Sequence, residues 1–183
     1  MKNKLTAEWK IEVHDKEGKT VKRITKDADL IVWNWIKFAA GIAVPACIAE
    51  PLTFVDESGA ERTRVISHWR SYLLYADCLP VIKLGSSATP PARADYRLGS
   101  PWAESPLLTP TVSNPEPNKW QYVISHLFST TVPRILAELG TFLRNLERGV
   151  NILLCRDVLS PPIQIPAGGS VQVSYTIRTV SEG

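Results

Sequence analysis

The stretch NILLCRDVLSPPIQIPAGGSVQVSYTIRTV, residues 151–180, decides how the rest of the chain is read. Val171, Val173, Tyr175 and Ile177 alternate with Gln172, Ser174, Thr176 and Arg178. That period of two belongs to a strand with one dry face and one wet face. Ile163 and Ile165 flank Gln164 in the same manner, and Pro166-Ala167-Gly168-Gly169-Ser170 between the two runs is turn chemistry. The expectation is a C-terminal hairpin over 151–180, and nothing in it carries a catalytic motif.

Working outward, the composition agrees with a β-rich fold. Fourteen prolines and ten glycines in 183 residues are more than a helical bundle tolerates, while 44% hydrophobic residues supply an ordinary core for a single domain spanning 1–183. A net charge of +3 with dispersed Lys and Arg argues against a nucleic-acid stripe. Cys47, Cys78 and Cys155 are odd in number and far apart, so they read as small buried hydrophobes and not as a zinc site or disulfide framework. The start, MKNKLTAEWKIEV, has no signal-peptide core, and the apolar run Leu30–Val44 is too short and too polar for a membrane span. Synthesis in the cytoplasm without a signal peptide is the expectation.

In chain order, residues 8–25 read as an N-terminal hairpin. Trp9, Ile11 and Val13 oppose Lys10, Glu12 and His14, Asp15-Lys16-Glu17-Gly18 forms the turn, and the off-parity Val21 and Ile24 imply a bulge or an early strand end. Residues 29–44 predict one buried helix capped by Asp27 or Asp29, with Asn34, Lys37 and Gly41 on its narrow polar stripe. Asp56-Glu57-Ser58-Gly59 predicts a turn, Leu79–Leu84 a strand ending at Gly85, and Trp120–Phe128 another strand. Between them, 85–118 is a proline-rich arm whose Tyr96, Leu98, Trp102, Leu107 and Leu108 are too apolar for a free linker. These five, with Trp33 and Trp35 of the predicted helix, are the candidate subunit-interface residues. Pro133–Arg148 is ambiguous: Ile135, Leu136, Leu139, Leu143 and Leu146 fit a helix, Ile135, Ala137, Leu139 and Thr141 a strand, and periodicity leans slightly to the helix.

The usual catalytic signatures are missing. The sequence has no GxSxG, HExxH, P-loop or GxGxxG, and His14, His68 and His126 show no ligand spacing, so no catalytic residue, metal or cofactor is expected. Glu138 is the one carboxylate set in an apolar run, and its first reading is a hydrogen-bonded or paired buried acid. Adjacent Arg156 and Asp157 read as a structural or interface ion pair.

The order of short motifs adds a resemblance. Gly85 ending a strand, Thr89-Pro90, Asp95 with Leu98, Glu138 with Gly140, Leu153 with Arg156, and Gly169 to Tyr175 follow one another along most of the chain. This order resembles virion structural proteins, capsid- or tail-associated, of tailed viruses of bacteria and archaea. The resemblance implies a strand at Glu138–Gly140, no catalytic residues, a place in the virion, and as partners other copies of the chain and other virion proteins. The expected fold is mainly β: a β-sandwich of Greek-key, jelly-roll or Ig-like type with the N-terminal hairpin and one buried helix. The expected function is a self-assembling virion structural protein. The competing readings are a carbohydrate- or receptor-binding module using Trp69, Trp102 and Trp120 as an aromatic platform, an extracellular filament subunit, or an enzyme gathering Glu138 or a histidine in a cleft.

Overall fold

The computed structural model describes residues 2–28, 51–65, 78–116, 119–145 and 149–182. Within them the chain is mainly β and contains no helix. The eleven strands among the described residues are β1 (Lys2–His14), β2 (Thr20–Asp27), β3 (Pro51–Val55), β4 (Glu61–Val65), β5 (Cys78–Gly85), β6 (Pro101–Glu104), β7 (Thr111–Glu116), β8 (Lys119–Ser129), β9 (Arg134–Asn145), β10 (Val150–Ile165) and β11 (Ser170–Glu182). They form a five-stranded sheet in the order β2-β1-β11-β8-β7, a four-stranded sheet in the order β10-β9-β5-β6, and the separate pair β3-β4. Every pairing is antiparallel.

The alternation in β1 and β11 is realised in the register. Trp9 stands opposite Tyr175, Ile11 opposite Val173 and Val13 opposite Val171, all turned inward. The inward residues of β8, Ile124 and Phe128, join them. From the four-stranded sheet Ile82, Leu84, Leu136, Leu139, Cys155, Leu159, Ile163 and Ile165 enter the same apolar cluster, so the two large sheets share one core. The first hairpin forms as expected, with β1 beginning at Lys2, ahead of the predicted start at residue 8. Its turn is held by Asp15, whose Oδ1 accepts the Glu17 and Lys19 N–H at 3.1 and 2.8 Å, with Gly18 at φ +79° and the bulge at Val13/His14.

One expectation is corrected here and one ambiguity is resolved. The C-terminal hairpin does not exist as a pair: β10 lies in the four-stranded sheet and β11 in the five-stranded one. Both strands are present, but Pro166–Gly169 carries the chain from one sheet to the other. Ile163 and Ile165 therefore meet Val171 and Val173 through the shared core and not side by side. Alternation fixes which face is dry; it does not say which strand is the neighbour. Residues 134–145 are a strand, as the resemblance implied for Glu138–Gly140 and against the slight lean of periodicity towards a helix. β9 is a central strand, and residues 136–143 are buried throughout, so both parities are apolar and a helix-like spacing arises by coincidence.

The outer face of the four-stranded sheet is covered by the chain's own proline-rich segment. Leu98 and Leu107 pack on Val81, Phe142 and Leu153 there. Full burial of a leucine such as Leu98 contributes roughly 1.5–3 kcal/mol, and the partly buried Leu107 contributes less. Far from being structureless, 85–118 includes β6 and β7. The predicted helix 29–44, together with Trp33, Trp35, Trp69, His68 and Cys47, lies outside the described residues.

Candidate functional site

The most concentrated polar chemistry sits where the proline-rich segment meets the four-stranded sheet. The β5–β9 register places Glu138 opposite Gly85, and the β9–β10 register places Arg156 opposite Gly140, so acid and guanidinium emerge on the same outer face. Glu138 is fully buried and Arg156 nearly so. Glu138 Oε1 accepts the Ser100 N–H at 2.7 Å and the Ser87 N–H at 3.3 Å. Its Oε2 accepts the Gly99 N–H at 3.0 Å and Arg156 Nε and Nη2 at 3.2 and 3.0 Å. Arg156 then reaches outward: Nη1 donates to Asp95 Oδ2 at 2.8 Å, and Nη2 to the Thr89 carbonyl at 3.1 Å. Asp95 closes its own turn by accepting the Ala92 N–H at 2.7 Å.

Small residues make room for this arrangement. A Cβ on Gly85 would stand 2.3 Å from Glu138 Oε1, and one on Gly140 would stand 2.8 Å from Leu98 Cδ2. Both oxygens of the acid are taken by donors from its own chain, which suits fixing a loop and leaves little capacity for proton transfer to a substrate. The group is a latch: two buried charges hold a segment without regular structure against a sheet. Gly85, Asp95, Leu98, Glu138, Gly140 and Arg156, scattered over 72 positions of sequence, converge in it.

Two further buried polar groups surround the sheets. Asp157, next to Arg156 in sequence, points to the opposite face, so the two do not pair with each other as their adjacency implied. Asp157 instead accepts the Trp9 indole N–H at 2.7 Å and Lys26 Nζ at 3.1 Å, tying β10 to β1 and β2 across the core. Beside it burial first, and then the Asp157 charge, push the Cys155 thiol well above its usual range, which makes it inert as a nucleophile. Burial likewise raises the Tyr175 phenol. On the outer face Lys83 Nζ sits 2.6 Å from Glu57 Oε2 and 2.7 Å from Glu104 Oε2, and Glu57 also accepts Asn151 Nδ2 at 2.8 Å. This network fastens the β3–β4 turn to the four-stranded sheet, and Lys83 is the one charged residue in the otherwise apolar run Leu79–Leu84.

The remaining candidates fall as follows. Leu98 and Leu108 are buried within the chain, Leu107 packs beside Leu98, and Tyr96 is half-buried. Trp102 is half-buried, donates Nε1 to the Ile135 carbonyl at 3.1 Å and lies under Arg134, so much of its ring is already engaged. Trp120 belongs to β8 in the five-stranded sheet, whereas Trp102 belongs to β6 in the other. His14 bonds Thr20, and His126 stands edge-on to Phe128 with its pKa lowered by burial. Among the described residues no three His, Cys, Asp or Glu side chains converge as metal ligands. A shallow cavity of about 410 Å³ is lined by Asp56, Glu57, Ser58, Arg62, Gly149, Val150 and Asn151. Asp56 Oδ1 there is filled by Ser58 and Ala60, and Oδ2 by Arg62.

Comparison of the chain with protein-family models, with curated proteins and with solved structures gives no match.

Proposed function

We propose that this chain is a self-assembling virion structural protein, folded as a two-sheet β-sandwich, that works by contact with other copies and other virion proteins and not by catalysis. The observation that carries the reading is the convergence of Gly85, Asp95, Leu98, Glu138, Gly140 and Arg156 in one latch. These residues carried the resemblance to virion structural proteins, and their shared role is architectural. A signature made of packing glycines and a loop-holding ion pair is what a structural family would carry.

The sheet margins bear on how copies would meet. β2, outermost in the five-stranded sheet, presents Lys22 and Arg23, both exposed, and β7 at the other margin is short, irregular and carries Pro115. Charge and proline are guards against edge-to-edge pairing. Assembly would therefore use loops and faces, such as the exposed Leu127, Val132 and Ile135 around the β8–β9 connection.

Light scattering of the purified protein over a range of concentrations, followed by negative-stain microscopy, tests the proposal. Rings, tubes or other regular oligomers are expected. A species that stays monomeric at the highest attainable concentration overturns it.

A further inference from the structure

We infer, on the reading that the chain self-assembles, that Arg134 of one copy docks on the Asp27–Glu8 pair of the next, so that copies join head to tail. The cationic surface is built at the start of β9. β5 ends at Gly85, opposite Glu138, so residues 134–137 of β9 have no β5 partner. Trp102 stands at that margin, and its Nε1 donates to the Ile135 carbonyl at 3.1 Å, which fixes the indole. Arg134 lies over the ring, its guanidinium carbon 5.7 Å from the centroid. Stacking orients the planar guanidinium and leaves its N–H edge for a carboxylate. Arg134 is exposed and has no ion pair among the described residues. Val132 and Ile135, both exposed, flank it in the chain. Arginine and tryptophan beside exposed aliphatic side chains match the composition of an interface centre, from which lysine is depleted.

The acidic surface lies on the outer face of the five-stranded sheet, since Trp9, next to Glu8, is turned inward. Asp27 ends β2 directly opposite Glu8, and like charges in that cross-strand position repel. Glu8 is relieved by Arg178 at 3.3 Å. Asp27 is exposed, and no cation reaches it among the described residues. Its chain neighbour Lys26 is turned through the pleat to Asp157. A guanidinium delivered from a second copy would remove this repulsion. Glu61 is also exposed and unpaired, but it stands opposite the uncharged Val55, where no such repulsion exists. Arg134 and Asp27 belong to different sheets. A contact between two unlike patches leaves one of each kind open at the ends and propagates into rings or filaments.

Charge reversal read by sedimentation velocity is the test, on the full chain, Arg134→Glu, Asp27→Arg and the control Glu61→Arg, with folding checked by circular dichroism. Each of the first two should raise the apparent dissociation constant about tenfold or more, because like charges then meet across the contact, and Glu61→Arg should change it less than about twofold. An equimolar mixture of Arg134→Glu and Asp27→Arg should recover assembly, because the reversed patches match each other. Failure of the mixture to recover, or an equal loss in Glu61→Arg, overturns the inference. Assembly unchanged in both reversals overturns it while leaving self-assembly intact; an unmodified chain that stays monomeric throughout overturns both.

Discussion

Replacing Glu138 with glutamine is the sharpest perturbation of the latch, because it preserves shape and removes only charge and one acceptor. Glu138 Oε1 faces the Ser87 and Ser100 N–H groups, and Oε2 faces the Gly99 N–H and Arg156. Whichever way the new amide turns, its NH₂ confronts donors, and Arg156 keeps only Asp95 as an ionic partner. Breaking a buried ion pair from one side costs about 3–5 kcal/mol. That is about a fifth or more of the roughly 5–15 kcal/mol typical of a domain. With a urea m-value of about 2–3 kcal/mol/M, the unfolding midpoint should fall by about 1–2.5 M. The loop should also become cleavable, since Arg93 and Arg97 supply tryptic sites that the pinned loop protects. Removing both charges, in Glu138→Leu/Arg156→Met, should recover part of the loss by eliminating the stranded guanidinium. Recovery stays incomplete because three N–H groups and Asp95 lose their partners. A loss below about 1 kcal/mol for Glu138→Gln, with no new tryptic cleavage, would refute the latch, since the cited cost of a broken buried pair is several times larger.

Other substitutions test neighbouring parts of the account. Gly85→Ala forces a Cβ to within 2.3 Å of Glu138 Oε1 and should lower stability by roughly 1–3 kcal/mol in thermal or urea melts. Thr141→Val should be neutral or stabilising by up to about 1 kcal/mol, because the buried Thr141 Oγ1 has no hydrogen-bond partner among the described residues. Burial alone would raise the Asp56 carboxyl, but hydrogen bonds from Ser58, Arg62 and Ala60 outweigh it and hold the pKa at about 2, below its ordinary 3.8. Because the folded value is the lower one, the stabilisation is complete above the ordinary value. It fades as pH falls from about 3.8 through about 2. NMR titration should place Asp56 near 2, and Arg62→Ala should move it upward; a value at or above 3.8 would contradict the turn geometry.

Much of the strand inventory was legible because one dry face and one wet face write alternation into the sequence. β1, β8 and β11 are of this kind. What alternation does not encode is partnership. β10 and β11 share a turn and a dry face, yet each bonds into a different sheet, with its pairing set by residues more than a hundred positions away in the case of β1. β9 was illegible for the opposite reason: cover on both faces erased the period. The latch was half legible. Glu138 stood out as a carboxylate in an apolar run, but Arg156 was grouped with its chain neighbour Asp157. Only the strand pleat, which sends adjacent side chains to opposite faces, separates their roles. The Lys83–Glu57 contact was not legible, since a lone lysine in the apolar run of β5 does not name the carboxylate, 26 positions away, that it meets.

The central claim is that this is an assembling structural subunit, and sedimentation velocity of the untagged protein across a concentration series tests it most directly. Defined species at integral multiples of the 20.3 kDa chain mass, growing with concentration, are expected. A single boundary at 20.3 kDa throughout the series would contradict it.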